Sequence, residues 1–355
     1  VLSSSQAKAL TDVSGIRSVD GADWITNRGH IAVTADSIGN MNSVALGGTI
    51  DGDARAYATG IAETFAYGIR TDQLTVGNDA ILNDHIVNKS DIMVRATAKA
   101  FATAFAEEDA GGTSDELASG TATATARSFG IYTGNGHDTV INYGNINVTA
   151  VATASVSVDT EDNDRERGNP NASAQAVGIY TGAGDDLIVN HGTIAASAGA
   201  SGGPATATRE AIQAGAGDDT VTLKDGSVVN GDVDLGADND TLNLVGSPTI
   251  NGTIRGAEGI NNLAFIGSGY FDFANPATDF HKATKTGEGT YTLSALAPMQ
   301  HIEVEQGVLE INSDYEFAAG STFMPSVSSG DGNGRLVING AVNFSAASIS
   351  IMKGR

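Results

Sequence analysis

The chain has 355 residues, of which 42 are Asp or Glu and 19 are Lys or Arg, so its formal net charge at pH 7 is −23. This acidity argues against nucleic acid as a partner, because nucleic-acid binding needs a basic patch, and it disfavours docking on anionic lipid. Cysteine is absent, which excludes disulfides and thiolate metal sites, and no segment approaches the roughly 20 apolar residues of a membrane helix.

Residues 1–22, together with the stretch around Trp24, are predicted to cap one end of the fold. From residue 23 to residue 278 a short phrase recurs, in which an Asn is followed by a turn and an Ile. Its four copies begin at Asn27, Asn88, Asn142 and Asn190. Such repetition indicates stacked coils, because each unit can bury its apolar face only on a neighbour. We expect the four Asn side chains to form a buried ladder along the stack.

A second phrase precedes the Asn phrase and combines β-branched or aromatic residues with a Gly-x-Gly corner and an Asp. Its copies are Gly130–Asp138, Gly178–Asp186, Ala211–Asp219 and Leu235–Asp240, and Gly68-Ile-Arg-Thr71 is a diverged version. Glycine permits positive φ at the corner, and an apolar run resumes after the Asp. The phrase therefore predicts a strand, a sharp corner and a second strand.

The spacing of the repeats indicates the architecture. The apolar residue that follows each Asn phrase defines a column of six aligned positions: Ile31, Ile92, Ile146, Ile194, Val228 and Ile250. The intervals between them are 61, 54, 48, 34 and 22 residues. The shortest interval suits one coil of a parallel β-helix, with three short strands and their corners. An all-β solenoid is therefore the predicted fold class.

The extra residues of the longer intervals lie between the Ile-led strand and the next Gly-Ile-Tyr-Thr phrase. In these segments apolar or small residues alternate with polar ones, as in Ile146–Val158 and Ala172–Ala176, and a polar tip at Asp159–Asn171 lies between the two. Period-two alternation predicts half-buried strands, so each long coil should carry a β-hairpin arm, and the arms should shrink towards the C-terminus. Stacked arms would form two sheets across a seam of Ala, closer than the usual ~10 Å. The alternative is that these segments are ordinary additional coils.

Residues 279–355 follow a different pattern. Lys285–Ser294, Ile302–Asn312, Tyr315–Phe323 and Arg335–Val342 resemble the passenger domains of bacterial autotransporters (type V secretion), including their autochaperone-like C-terminal cap. The resemblance implies a right-handed parallel β-helix displayed on the surface of a Gram-negative cell, with the protein's own outer-membrane barrel as a partner beyond Arg355. The aromatic residues of the cap are expected to plug one end of the solenoid; they are Tyr291, Tyr315, Phe317, Phe323 and Phe344.

The Gly-x-Gly-x-Asp corners resemble a calcium-binding nonapeptide repeat. Calcium takes six to eight oxygen ligands, which stacked corners could supply. The candidate ligands are Asp138, Asp186, Asp219 and Asp240, with Asp185 and Asp218 beside them. The preferred interpretation is that Gly makes the turn while Asp caps backbone N–H groups in an Asx-turn. No metal or other cofactor is therefore assigned.

The sequence also bears on catalysis. Three of the six histidines, His30, His137 and His191, occupy corner positions that vary between copies, which indicates exposed, tolerant sites; the others are His85, His281 and His301. A role for His137 beside Asp138 in metal binding or acid–base chemistry is the less favoured alternative. There is no Gly-x-Ser-x-Gly elbow, and acid pairs such as Asp185-Asp186 recur at successive corners although a catalytic pair is needed once. We assign no catalytic residue and expect a protein that is not an enzyme.

The arm tips, Glu107–Glu116, Asp159–Asn171 and Gly199–Pro204, are loops on a rigid scaffold, where recognition commonly lies, although they could equally be solvated turns. The long arm strands also offer edges for pairing with another copy. The sequence therefore predicts a cell-surface adhesin or self-association protein, active in cell–cell contact or biofilm, whose ligand is a cell-surface or matrix component or a second copy. The alternatives are a β-helix enzyme that cleaves polysaccharide with two facing acids in a lateral groove, and a structural stalk.

Overall fold

The computed structural model describes residues 2–18, 21–46, 54–71, 83–107, 116–160, 165–273, 277–327, 333–343, 348–349 and 352–353. These residues form 31 β-strands and no helix, which confirms the all-β fold for the described part of the chain. Within the same ranges no helix has the length and apolar character that crossing a membrane would require.

The strands of the N-terminal half are β1 (Leu2–Ser18), β2 (Trp24–Asn27), β3 (Ile31–Leu46), β4 (Arg55–Thr71), β5 (His85–Asn88), β6 (Ile92–Glu107), β7 (Leu117–Tyr132), β8 (Thr139–Asn142), β9 (Asn145–Thr160), β10 (Glu166–Ala183), β11 (Leu187–Asn190) and β12 (Thr193–Ser201). The middle strands are β13 (Ala205–Ala216), β14 (Thr220–Leu223), β15 (Val228–Asn230), β16 (Asp232–Ala237), β17 (Thr241–Val245), β18 (Thr249–Ile250), β19 (Ile254–Arg255), β20 (Asn261–Ile266) and β21 (Gly269–Phe271). The last strands are β22 (Phe280–Thr286), β23 (Thr290–Leu293), β24 (His301–Val304), β25 (Val308–Ile311), β26 (Tyr315–Glu316), β27 (Thr322–Val327), β28 (Arg335–Ile338), β29 (Val342–Asn343), β30 (Ser348–Ile349) and β31 (Met352–Lys353).

The strands stack in parallel into a β-helix. Sheet A runs β1-β4-β7-β10-β13-β16-β19, sheet B runs from β2 through β5, β8, β11, β14, β17, β20, β22, β24 and β27 to β30, with β31 also on β27, and sheet C runs β3-β6-β9-β12-β15-β18. Sheet D (β21-β23-β25-β28) and the two-stranded sheet E (β26-β29) complete the C-terminal coils. Each of the first six coils therefore contributes one strand to sheet A, one to sheet B and one to sheet C, in that order.

The predicted column of apolar residues is present, with one correction. Ile31 pairs with Ile92, Ile92 with Ile146, and Ile146 with Ile194. In the fifth coil, however, the partner of Ile194 is Val229, and Val228 lies in the neighbouring row. Both residues are Val, so the sequence alone does not tell which one points inward; the pleat buries Val229 completely.

The arms are confirmed as two layers, but their strands do not pair as hairpins. The strands of the first arm, β3 and β4, belong to different sheets, and each bonds only to the corresponding strands of neighbouring coils. The two sheets face each other across buried Ala side chains, among them Ala96 and Ala100 of sheet C and Ala62 and Ala124 of sheet A. Parallel stacking along the solenoid satisfies the backbone hydrogen bonds of both strands, so none remain for pairing within an arm.

The two arm sheets approach closely, as the small side chains of the seam predict. A β-carbon on Gly60 of sheet A would overlap the carbonyl oxygen of Phe101 in sheet C. A β-carbon on Gly39 of sheet C would overlap the backbone of Ile61 in the same way. Only glycine fits at these points, because the backbones of the two layers touch there.

The arms do not shrink steadily. The outgoing strands β3, β6 and β9 each have 16 residues, and the drop comes abruptly at β12 with 9. The tip of the third arm is also shorter than predicted, because β10 already begins at Glu166 and includes Pro170. Pro170 is opposite Ala122 of β7, while pairing with β13 begins only at Ala172. A strand position with one neighbour tolerates the missing N–H of proline.

The N-terminal end differs from the predicted cap. Residues 2–18 form β1, the edge strand of sheet A, and are therefore part of the first coil. Trp24 lies on the outer face of sheet B and is 77% exposed, so it does not cover the end of the stack. Alternating Ser, Ala, Lys and Leu give β1 the same period-two pattern as the arm strands behind it, which explains its pairing.

The C-terminal coils continue the same stack with an aromatic interior. Sheet B passes without interruption from β20 to β22, across the predicted boundary at residue 279. Tyr291, Tyr315 and Phe317 are buried inside these coils, and Phe323 packs partly buried against them. Phe344, the fifth aromatic residue of the predicted cap, lies outside the described residues.

Candidate functional site

The four Asn residues of the repeated phrase form the predicted ladder. Nδ2 of Asn27 donates to Oδ1 of Asn88, Asn88 to Asn142, and Asn142 to Asn190, each at 2.8 Å. All four side chains are buried. In the next coil the column continues with Leu223, so the ladder ends at Asn190. Backbone groups of the following turn add further bonds, since Nδ2 of Asn142 and of Asn190 also donates to the carbonyl oxygen two residues on. The ladder and these local bonds assign the amides a structural role.

The corner Asp residues form a second buried column, longer than the sequence indicated. The backbone N–H of Asp138 donates to Oδ1 of Asp186 at 2.7 Å, and the same contact recurs between Asp186 and Asp219 at 2.8 Å. The complete column is Asp23, Asp84, Asp138, Asp186, Asp219, Asp240 and Asn261. Asp23 and Asp84 were missed because no Gly-x-Gly precedes them; an Asp two residues before an Ile would have been the signal.

Burial shifts the acidity of this column. Desolvation raises the pKa of Asp186 to about 7, that of Asp219 to about 8 and that of Asp240 to about 7, against an ordinary value near 4. Backbone N–H donors and, for Asp186, Thr181 oppose the shift, while neighbouring carboxylates add to it. The second oxygen, Oδ2, of Asp138, Asp186, Asp219 and Asp240 is buried without a hydrogen-bond partner. A proton on this oxygen removes the charge that burial disfavours.

A parallel ladder of exposed side chains runs beside the buried column. It comprises Asn83, His137, Asp185, Asp218 and Asn239, each of which accepts a backbone N–H from the next coil. Nδ1 of His137 accepts the N–H of Asp185 at 2.8 Å, which leaves the proton of the neutral ring on Nε2. The prediction that His137 is exposed is confirmed. Variation at this position is narrower than predicted, because each of the five side chains presents an acceptor, and Asn, Asp and His all can do so.

These two ladders bear on the calcium hypothesis. Oδ1 of each column Asp already accepts a backbone N–H of the preceding coil. The Asp residues therefore cap backbone donors as expected, but they do so between coils and not within a local Asx-turn. Within the described ranges, no group of three or more His, Asp or Glu side chains has a geometry that could hold a metal ion. Capping of backbone donors along the stack thus accounts for the corner Asp residues.

The remaining histidines are dispersed. The ring of His85 lies 4.2 Å from that of Trp24, and the ring of His191 stacks on Tyr143 at 4.5 Å. His301 bonds Thr322, and His30 is exposed. His281 lies in a different coil, with Nδ1 buried and without a hydrogen-bond partner.

An aromatic cluster, which the sequence analysis did not single out, braces the outer face of sheet A where the arms join the coils. The rings of Tyr67 and Phe129 stack at 5.2 Å, and those of Tyr132 and Tyr180 stack at 4.9 Å. Val177 fills the space between them and is fully buried. The Arg70 guanidinium lies over the Tyr67 ring, 4.3 Å from its centroid. Because these side chains contact one another across successive coils, the cluster stabilises the stacking of the coils.

The outer faces of the arms are the broadest regular surfaces of the molecule. On sheet C the outward side chains of β3 include Ile38, Val44 and Leu46, which are 61%, 54% and 58% exposed. The next strand places Phe105 beside Val44 and Lys99 beside Ile38. Of the predicted arm tips, Gly199–Pro204 is described and forms a tight turn, whereas most of Glu107–Glu116 and part of Asp159–Asn171 lie outside the described residues.

A recess opens where the arms end. It has a volume of about 800 Å³ and lies between the short arm strand β13 and the armless coils below, lined by Glu210, Asp232, Asp234 and Arg255. Arg255 forms an ion pair with Asp234. Burial, followed by the charge of Asp234, raises the pKa of Glu210. The sequence does not indicate that these charged residues lie together. Glu210 occupies a position at which earlier coils carry Tyr67, Phe129 and Val177, and this alignment follows only from the strand register.

No protein-family model matches the chain, and no curated protein matches it either. Among solved structures there is a match to a hyperactive, Ca²⁺-dependent, β-helical antifreeze protein from an Antarctic bacterium, at 15% identity and a TM-score of 0.23, covering 91% of this chain and 82% of that one. So distant a likeness carries no argument about function, and the parallel β-helix assigned here rests on the strand order and register of the chain itself.

Proposed function

We propose that this protein works by binding, as an adhesin or self-association protein displayed outside a Gram-negative cell on its outer membrane. The resemblance of the C-terminal coils to autotransporter passengers supports the location. The broad arm sheets support the activity, because they offer flat, rigid surfaces instead of an enclosed cleft. The expected ligand is a cell-surface or matrix component, or another copy of the chain.

The observation that carries this proposal is the exposed apolar group of β3, formed by Ile38, Val44 and Leu46. Exposed apolar side chains that lie together on the surface of an acidic protein usually mark a contact site, because leaving them in water is unfavourable. All three lie on the outer face of sheet C; Val44 and Leu46 are neighbours there, with Phe105 beside Val44, whereas Asn40 and Asn42 separate them from Ile38.

An adhesion assay tests the proposal. Beads coated with the chain should bind to bacterial cells, to matrix-coated surfaces or to one another, and the triple change Ile38→Ser, Val44→Ser and Leu46→Ser should weaken that binding at least about tenfold. The matched control is Asn40→Ser with Asn42→Ser, on the same face of the same strand, which should bind normally. Wild-type beads that bind neither cells, matrix nor each other would refute the proposal.

Cleavage of a polysaccharide is the second candidate, and the recess is the observation in its favour. A glycosidase pairs a protonated carboxyl group with an ionised one. Glu210, whose pKa is raised by burial, and Asp234, which is paired with Arg255, both line this recess and are the candidate pair of carboxyl groups. A screen for reducing sugars released from polysaccharides decides this, with Glu210→Gln and Asp234→Asn as the inactive controls.

A further inference from the structure

The outer face of sheet B lacks charged side chains over its first seven strands. In these strands buried residues alternate with outward ones, and none of the outward residues is Asp, Glu, Lys or Arg. The outward residues are Trp24, Thr26, His85, Val87, Thr139, Ile141, Leu187, Val189, Thr220, Thr222, Thr241, Asn243, Val245, Asn262, Ala264 and Ile266. We call this surface the neutral face. The first charged outward residues are Lys282 and Glu303, which form an ion pair with each other.

The neutral face is an exception in a chain of net charge −23. Two copies that approach with acidic surfaces repel each other, whereas two neutral faces do not. Its centre is also apolar: Ile141 and Val189 are half-buried, and Leu187 beside them is exposed. Of the surfaces described, this one therefore allows a second copy to approach at the lowest electrostatic cost.

The two rims of the neutral face carry opposite charges. Arg28, Lys89 and Lys224 follow the carboxyl ends of their strands, and in the described part of the chain none of the three forms an ion pair. Asp185 and Asp218 precede the amino ends of their strands and are exposed. Asp91 and Asp225 lie in the same corner turns as Lys89 and Lys224, so the first rim carries three cations and two carboxylates. The described residues of the opposite rim include carboxylates and no Lys or Arg. The first rim, called the basic rim, thus faces an acidic rim across the width of the sheet.

This arrangement sets the orientation of a pair. We propose that a second copy of the chain docks on the neutral face, about a twofold axis parallel to the solenoid, so that the strands of the two copies run antiparallel across the contact. Each basic rim then lies over the partner copy's acidic rim, and coils of the same number face each other, which brings Lys224 over the rim position of Asp218. A parallel arrangement would place like charges together. The inference rests on the proposed function and names the surface for its self-associating form.

The size of the face fixes the strength of the contact. Seven strands at a spacing of ~4.8 Å, most of them about four residues long at ~3.3 Å per residue, give roughly 29 by 13 Å. Joining two such faces buries roughly 750 Å² in total, below the ~1,200 Å² of stable complexes. The pair should therefore be weak in solution and gain strength only when many copies share a surface.

Sedimentation velocity of the purified chain at rising concentration tests the pairing. We expect a monomer–dimer equilibrium that Ile141→Glu weakens at least about tenfold, because two buried carboxylates would face each other. The matched control, Thr149→Glu, adds the same charge to the outer face of sheet C in the same coil and should leave the equilibrium nearly unchanged. Circular dichroism verifies that both variants fold.

A double-mutant cycle tests the orientation. Lys224→Met and Asp218→Asn should each weaken the dimer a few-fold, and the double variant should be no weaker than the single ones, because the two residues face each other. Additive losses would overturn the antiparallel orientation. Dimers unaffected by Ile141→Glu but abolished by the serine triple of β3 would overturn the neutral face and leave the proposed function intact. A wild type that remains monomeric overturns the pairing, and the adhesion assay then decides the proposed function independently.

Discussion

The armed coils and the C-terminal coils wind the same unit but fill it differently. In coils 1–4 the interior holds Ala between two arm sheets and columns of Asn and Asp at the corners. Beyond residue 261 it holds large rings, such as Phe265 and Tyr291, whose centroids lie 5.2 Å apart. Small side chains let two sheets meet closely and extend sideways, whereas the coils beyond residue 261 have no arm seam and fill their interior with aromatic volume.

The column that starts with the Asn ladder shows the same contrast at single positions. In successive strands of sheet B the residue changes from Asn190 to Leu223, Leu244, Phe265 and Lys285. Lys285 is fully buried, and its Nζ donates to the carbonyl oxygens of Thr286, Gly287 and Gln306. Burial lowers its pKa. In the armed coils, the Asn side chains of this column bond to one another. In the later coils, Leu and Phe pack in the core and Lys285 donates to backbone carbonyl oxygens.

The strongest test of the contrast is pH, because the Asp column titrates in the armed and middle coils and ends at Asn261. The folded-state pKa values of Asp186, Asp219 and Asp240 are raised, so between about pH 4 and pH 8 the folded chain holds protons that the unfolded chain has lost. Stability should therefore fall as pH rises through this window, because each unit by which a folded-state pKa exceeds its unfolded-state value is worth about 1.4 kcal/mol. Urea unfolding at pH 5 and pH 8.5 measures it.

Asp219→Asn is the matched variant for the pH experiment. Asn261 already occupies this column and accepts the N–H of Asp240 at 2.8 Å, so Asn retains the acceptor and removes the titration. The variant should lose part of the pH dependence and be more stable than wild type at pH 8.5. An unchanged slope would show that other groups control the pH response.

Removing aromatic volume should damage the C-terminal coils next most. Phe265→Ala opens a cavity beside Tyr291 in the middle of the stack and should cost about 3–5 kcal/mol of unfolding free energy. Tyr270→Ala, on a neighbouring strand but half exposed, is the control and should cost well under half as much. Calorimetry of both variants measures the difference, and equal losses would show that the rings are not tightly packed.

Adding volume should damage the armed coils instead. Ala124→Leu places three extra carbons into the seam between sheets A and C, where Ala124 is fully buried, and should cost about 1–3 kcal/mol. Thr123→Leu, the next residue on the same strand, points outward and should be nearly neutral. If both changes were tolerated alike, the seam would be wider than the approach at Gly60 indicates.

Breaking one step of the Asn ladder should have the smallest effect. Asn142→Ala removes the bonds to Asn88 and Asn190 and leaves their amides partly unsatisfied, at a cost of about 1–2 kcal/mol. Asn147→Ala, exposed on the outer face of β9, is the control. Hydrogen exchange of the backbone near β8 and β11 should report the loss locally.

Much of this could be predicted from the sequence. The repeated Asn phrase was sufficient to predict the stack of coils and the Asn ladder, because an Asn at the same position of each coil can bond to the Asn of the next coil. The near-strict alternation of small or apolar residues with polar ones was sufficient to predict the two-layer arms. The corner phrase sufficed for the later Asp positions, since Gly at the turn and Asp after it have fixed stereochemical uses.

Other features were decided only in three dimensions. The strand register decides whether Val228 or Val229 points inward, and it places Pro170 where only one strand is its neighbour. It also places His137 in the ladder of Asn and Asp acceptors. The neutral face is invisible along the chain, because its members lie 21 to 61 residues apart and alternate with buried ones. Sequence specifies the local period and the repeat, while the register between coils decides which side chains share a surface and therefore what that surface can bind.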